Sequence, residues 1–241
     1  MRHTRQSAGQ FYFTTTPMPC PYFNDRLERR LVTELVGRNA ENLHNTLTHA
    51  GFRRSHGISY APCCMDCDAC KSVRVLAGSF NPSRTQRRVI KRNAGLTAVV
   101  TSAIATEEQY ALFANYQHSR HGDGDMAGME FTDYQALIEE TPIEPEVVEF
   151  RDEEEKLFAA CLTDRVSDGL SAVYSFYDSD IDPKRSIGAY IILWLIDYAK
   201  QLGLPYVYLG FWIKDCDKMA YKSGYKPLQV FTPQGWETLK A

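Results

Sequence analysis

The span Ser186–Leu202 constrains the fold more than any other part of the chain. Ile187, Tyr190, Ile191, Trp194, Leu195, Tyr198 and Leu202 recur at the three- and four-residue intervals of a helix with one apolar face. Gly203 follows, suited to a helix C-cap. A stripe this wide has to be covered, and the flanking sequence supplies the cover. Val147–Phe150, Leu157–Thr163 and Leu170–Tyr177 read as three strands. Asp152–Lys156 and Ser167-Asp168-Gly169 supply turns short enough to make them antiparallel. Val207–Trp212, after the helix, reads as a buried strand. The longest apolar run, Ile187–Leu195, is too short to cross a bilayer.

Cys216–Ser223 reads as a short helix and Lys226–Phe231 as a closing strand. Strands, a strong helix, a strand, a short helix and a last strand make an α+β domain. The order suits an acyltransferase-type sheet of the GNAT kind, in which the helix after the central strand points its N-terminus at an acyl carrier's phosphate. This domain is expected over residues 97–241, with a smaller cysteine-containing region, 1–96, packed on it.

Upstream signals are shorter. Arg26–Leu35 and Asn42–Gly51 are helix candidates, and Val73–Phe80 alternates as a strand. Asn81-Pro82 suits a helix start, with Asn at N-cap and Pro at N1. Leu96–Ile104 reads as a strand. Thr106 with Gln109, and Thr132 with Gln135, have capping-box spacing at two further helix starts, separated by the turn-rich HSRHGDGDMAG.

The 241 residues carry a net charge of −3, so nucleic-acid affinity has to come from a local patch. One exists. Arg84, Arg87, Arg88 and Lys91 share a helix face, and no acid lies between residues 82 and 95 to offset them. The first ten residues, MRHTRQSAGQ, have no apolar run, so no signal peptide is expected, and a reducing cytoplasm is. There, clustered cysteines point to metal or redox chemistry rather than disulfides. Cys64, Cys67 and Cys70 have C-x2-C-x2-C spacing, and Cys20, in a Cys-Pro pair, is the candidate fourth ligand. An iron–sulfur cluster or zinc is the candidate occupant, against a set of buried reduced thiols. Cys161 and Cys216 read as core.

The loop Asp178–Asp182 ends a strand and precedes the long helix. A carboxylate there is placed to take a proton from an attacking amine, although turn chemistry alone also accounts for the residues. Lys184–Ala189 approaches the R/Q-x-x-G-x-G/A phosphate loop of CoA-dependent acetyltransferases, but Tyr190 stands at its last position. Bulk there argues against acetyl-CoA. Tyr206–Tyr225 is dense in aromatics, able to stack a terminal base or to fill a core.

Several motifs together resemble one family. Tyr60–Cys70 reads Y-x-P-x-C-x-x-C-x-A-C and is followed by VRV and F-x-P-S-R-x-Q-R-R. With DGLSAVYSFYD, residues 168–178, and LPYVYLGFWIKDCDKMAYKSGYKPL, residues 204–228, these resemble the bacterial branch of the arginyl-tRNA–protein transferases from about Tyr12 to Leu228. Some eukaryotic members pair a CxxC near the N-terminus with a CC further on. Here Phe23 leaves Cys20 alone, so the local triple takes that place.

The resemblance implies transfer of leucine from leucyl-tRNA to proteins beginning with Asp or Glu, an N-degron reaction. The aminoacyl ester is already activated, so direct aminolysis needs no covalent enzyme intermediate and no cofactor. Asp178, Asp180 and Tyr177 are the catalytic candidates. The acidic N-terminal side chain calls for a cation, with Arg74, Lys222 and Arg54 as candidates. Arg84, Arg87, Arg88, Lys91, Lys184 and Arg185 would grip tRNA, and amides opening the Ser186 helix would hold the oxyanion or the tRNA terminus. Within the family the alternative donor is arginyl-tRNA. Outside it, the alternatives are a non-catalytic metal-dependent nucleic-acid-binding module and an acetyl-CoA acetyltransferase.

Overall fold

The computed structural model describes residues 9–122 and 124–240. The opening segment on which the absence of a signal peptide was argued, residues 1–8, lies outside them, as does Asp123 in the HSRHGDGDMAG loop.

The chain begins with two short strands, β1 (Phe13–Thr14) and β2 (Met18–Pro19), then β3 (Leu27–Glu28) and β4 (Arg30–Glu34). Arg26–Leu35 is therefore extended, not helical. Val32 and Thr33 are both buried, and β-branched side chains like these pack well on a pleated surface. Helix α1 (Ala40–His49) follows, ended by Ala50 and by Gly51 at φ +81°. Strands β5 (Arg53–Ser55) and β6 (Ile58–Pro62) complete a sheet of order β1-β4-β6-β5. Leu35, Ala40 and Leu47 form its small core.

The larger body contains β7 (Lys71–Leu76), α2 (Arg84–Arg92), β8 (Thr97–Ser102), α3 (Glu107–His121) and α4 (Phe131–Glu139). It continues through β9 (Glu146–Arg151), β10 (Leu157–Val166), β11 (Gly169–Tyr177), α5 (Ile187–Gln201), β12 (Tyr206–Trp212), α6 (Asp217–Ala220), β13 (Leu228–Thr232) and β14 (Gly235–Thr238). Eight strands form one sheet, β14-β13-β7-β12-β11-β10-β9-β8. The boundary expected at residue 96 falls inside this body, because β7 lies between β13 and β12.

Alternation along β9 and β10 divides the core in two. Val147, Ala160 and Leu162 face α3 and α4, with Phe113, Tyr134 and Ile138. Val148, Phe150, Ala159 and Cys161 face α5, with Ile191, Leu195 and Ile196. Each of those three fully buried α5 side chains stabilises the fold by about 1.5–3 kcal/mol of apolar transfer. Two helix starts differ from the sequence reading. Ser83, not Asn81, caps α2, its hydroxyl accepting from Gln86 N while Gln86 Oε1 accepts from Ser83 N. Helix α4 begins after Glu130, whose N–H donates to Asp133, ahead of the Thr132–Gln135 pair. The Thr106–Gln109 box at α3 forms as read.

Candidate active site

One seam organises the site. β11 and β12 run parallel, in contact only from Gly169↔Tyr206 to Ser171↔Tyr208. Beyond Ser171 they part, although each continues, to Tyr177 and Trp212. A β-bulge where β12 meets β7, between Tyr208 and Gly210, bends β12 at this point. The gap opens into a cavity of about 1070 Å³. Its wall includes Ala172–Ser175 and Tyr177–Ser179 from β11 and the loop after it, Ser186–Ala189 from the start of α5, and Leu209 and Phe211 from β12. Tyr22 and Tyr60 enter from the N-terminal sheets.

Of the catalytic candidates, Tyr177 and Asp178 line the cavity and Asp180 does not. Asp178 is buried and firmly placed. Its carboxylate accepts from Lys156 Nζ at 3.1 Å and from Asp180 N at 3.0 Å. Asp180 is exposed and enters the site only through that amide. Tyr177 packs at a tilt against Tyr116 with ring centroids 4.9 Å apart, and its ring lies 5.7 Å from the Arg120 guanidinium. A Cβ on Gly188 would come within 3.3 Å of the Tyr177 ring, so the small residue lets helix and tyrosine close together. Ser186, at φ +52°, opens α5, and the amides of Ala189 and Tyr190 both donate to its carbonyl. Those of Ile187 and Gly188 precede the first helical hydrogen bonds, where a helix start favours negative charge. Tyr190 turns into the core, its ring 5.7 Å from Phe150, and does not line the cavity. Its bulk is therefore not presented to a phosphate, and the argument against acetyl-CoA drawn from it lapses.

The three acid-recognition candidates go to different places. Lys222 lines the cavity, buried, with Nζ donating to Phe211 O at 2.6 Å. Burial, together with the nearby Arg53 charge, pulls its amine down to about 7. Arg54 is buried at a different contact and holds Asp164 through two bonds of 2.8 and 2.7 Å. His44 also approaches Asp164, at 3.2 Å. Burial raises the Asp164 carboxyl, but the His44 hydrogen bond and the Arg54 charge outweigh it and hold the group below the usual carboxylate range. Arg74 sits near the start of β11, its guanidinium 3.6 Å from the Tyr206 ring centre and 4.4 Å from that of Trp236, bonded to Gln229 and Tyr208. Both arginines are taken up by the fold, Arg54 by a buried carboxylate and Arg74 by an aromatic box.

The sequence reading passed over Arg53. Its Nη2 donates to Ala172 O at 3.0 Å and Val173 O at 2.8 Å, on the stretch of β11 that β12 has left. It also lines the cavity.

The two basic segments are tied together at one end. α2 packs on α5 through Val89. Arg92 donates to Lys184 O at 2.7 Å, and Asn93 exchanges hydrogen bonds with Arg185. These bonds join α2, on which Arg84, Arg87, Arg88 and Lys91 are exposed, to Lys184 and Arg185, next to Pro183 and Ser186 at the cavity wall. Gln86, on α2, lines the cavity itself.

Cys20, Cys64, Cys67 and Cys70 come together around a second cavity, of about 40 Å³, with Tyr22, Tyr60 and Phe211 forming wall to both. Burial, then the neighbouring thiols, pushes the Cys70 thiol up to about 12. Cys67 accepts from Arg26 at 3.3 Å, and Cys64 donates to Arg29 O at 3.8 Å. Among the described residues no three His, Cys, Asp or Glu side chains are arranged to hold a metal ion. The four thiols thus share a locus without the arrangement of a ligand shell. Cys161 and Cys216 are buried, as read.

A family model for the N-terminal part of arginine-tRNA-protein transferases matches residues 18–88, and one for the C-terminal part matches residues 108–232. The chain belongs to this family. An aspartate/glutamate leucyltransferase of Paramagnetospirillum magneticum is 52% identical over 98% of this chain and 97% of its own length. One from Granulibacter bethesdensis is 53% identical over 95% of this chain and 86% of its own. Among solved structures, that of L-PGS from Bacillus licheniformis superimposes with a TM-score of 0.48 at 13% identity, covering 75% of this chain and 52% of that one. The family is one of aminoacyltransferases. Among the described residues no helix is long and apolar enough to cross a membrane.

Proposed function

We infer that this chain transfers leucine from leucyl-tRNA to the α-amine of proteins that begin with Asp or Glu. The observation that carries this is identity of about half to aspartate/glutamate leucyltransferases along nearly the whole chain. The reaction belongs in the cytoplasm, where charged tRNA is found.

Several features support a mechanism of direct aminolysis. The cavity is large enough for a terminal nucleoside, its leucyl ester and the first residue of an acceptor together. Arg84, Arg87, Arg88, Lys91, Lys184 and Arg185 lie where an acceptor stem would approach it, with the start of α5 facing the ester end. The attacking amine has an ordinary pKa near ~8, so a modest base suffices. Asp178, held by Lys156 and the Asp180 amide, orients the amine and takes its proton. Tyr177 lies next to it in the wall. An acidic side chain entering beside Lys222 favours its protonated form, which then supplies positive potential there. Asp180 acts by placing Asp178.

The test is transfer from leucyl- and arginyl-tRNA, each offered in turn, to an Asp-Ala peptide. Leucine should move and arginine should not. Transfer of arginine alone would replace the donor, and transfer of neither would end this reading.

A further inference from the structure

We propose that Arg53 reads the acidic side chain of the acceptor, making it the residue that separates Asp and Glu N-termini from neutral ones. This rests on the leucyl-transfer reading and adds a specificity determinant to it. Arg53 and Arg54 are adjacent in β5, and successive strand residues point to opposite faces. Arg54 meets Asp164. Arg53 reaches across to the parted seam of β11 and β12 and finds only main-chain carbonyls, those of Ala172 and Val173. Among the described residues it makes no ion pair, although it lies within a cavity wall. A half-buried guanidinium that faces a cavity with only neutral carbonyl partners is short of an anion.

The seam is shaped around it. Gly210 takes φ +70°, and a Cβ there would lie 1.3 Å from Arg53 Nη1 and 2.3 Å from Cζ. Only a residue without a side chain admits the guanidinium at this depth. The charge balance of the wall points the same way. Arg53, Arg120, Lys218 and Lys222 line the cavity with two carboxylates, Asp178 and Asp182. Asp178 is already paired with Lys156, and Asp182 accepts from the Lys184 amide. The positive charge of Arg53 is also felt at Lys222, Tyr22 and Tyr221. An incoming carboxylate would meet at Arg53 a cation that no carboxylate of the wall neutralises. A carboxylate bound at Arg53 gains a charge-assisted contact that an isosteric amide lacks.

The experiment compares kcat/KM for an Asp-initiated and an Asn-initiated peptide with leucyl-tRNA as donor, in wild-type protein, Arg53→Gln and Arg53→Lys. The Asp/Asn ratio should fall roughly 100-fold in Arg53→Gln, while KM for leucyl-tRNA stays within about twofold. Arg53→Lys, which keeps a charge without the planar donors, should lower the ratio about tenfold. A merely structural role for Arg53 would reduce transfer to both peptides alike. An unchanged ratio in Arg53→Gln therefore overturns the assignment, and if that variant does not fold, an unchanged ratio in Arg53→Lys does. Wild-type protein that transfers leucine to neither peptide overturns the leucyl-transfer reading and takes the Arg53 assignment with it.

Discussion

The two ends of the β11–β12 seam make a controlled comparison. At the end where the strands pair, Arg74 is enclosed by Tyr206, Tyr208 and Trp236, with Asp168 3.7 Å away. At the end where they part, Arg53 touches two carbonyls and a cavity. The same kind of side chain, Arg74 from β7 and Arg53 from β5, meets the seam at its two ends, finished in one place and open in the other. The two differ in burial, Arg74 being buried and Arg53 half-buried, and in whether the protein itself supplies the counter-charge.

The comparison breaks most visibly on the closed side, where Arg54 and Asp164 follow the Arg74 pattern. Asp164→Ala should cost about 3–5 kcal/mol, because it strands a buried guanidinium, and chemical denaturation will read it. The Asp164 carboxyl sits below its usual range, so its stabilisation is present above the ordinary carboxylate pKa and is lost as pH falls through its folded value. The variant should therefore show a flatter acid limb. On the open side stability and activity should separate. Asp178→Asn should slow single-turnover transfer about 100-fold, with its melting temperature changed far less than that of Asp164→Ala. Equal losses of stability in the two variants would erase the distinction.

Lys222 sharpens the contrast through pH. Its amine is pulled from 10.5 to about 7, so between those values the unfolded chain holds a proton that the folded one does not. Stability should gain from this group as pH rises across that window, and Lys222→Met should remove the gain while lowering transfer to Asp-peptides about tenfold. The smallest effect belongs to the outer cations. Arg88→Ala should reduce the slope of log affinity for leucyl-tRNA against log salt by about one, with transfer at saturating tRNA unchanged.

Much of the fold was legible because its signals are local. The α5 stripe, the β9–β11 turns and the Thr106–Gln109 cap each lie within a few residues of their partners. Arg26–Leu35 was misread because what holds it extended is pairing with Ala61 and Tyr60 across β6, which no short window contains. Which candidates would share the cavity was legible in part for the same reason. Tyr177 and Asp178 end a strand that could be seen, and Lys222 sits in an aromatic run. Arg53 and Arg54 could not be told apart, since nothing in a two-residue stretch says which face meets Asp164 and which meets the seam. Arg74 looked available because its box is assembled from β7, β12, β13 and β14. The cysteine spacing led to a shared cavity, but spacing does not report thiol separations.

The position of β7 bears on how the protein is made. It is translated early, yet its sheet neighbours, β12 and β13, are among the last segments to leave the ribosome. Until they arrive, β7 has both edges unpaired, and Phe211 and Lys222 are missing from the cavity wall. A chain that ends before β12 has no finished pocket. Competence to draw a charged tRNA into reaction is thus tied to completion of the chain, and an incomplete copy has no pocket in which to spend an aminoacyl ester.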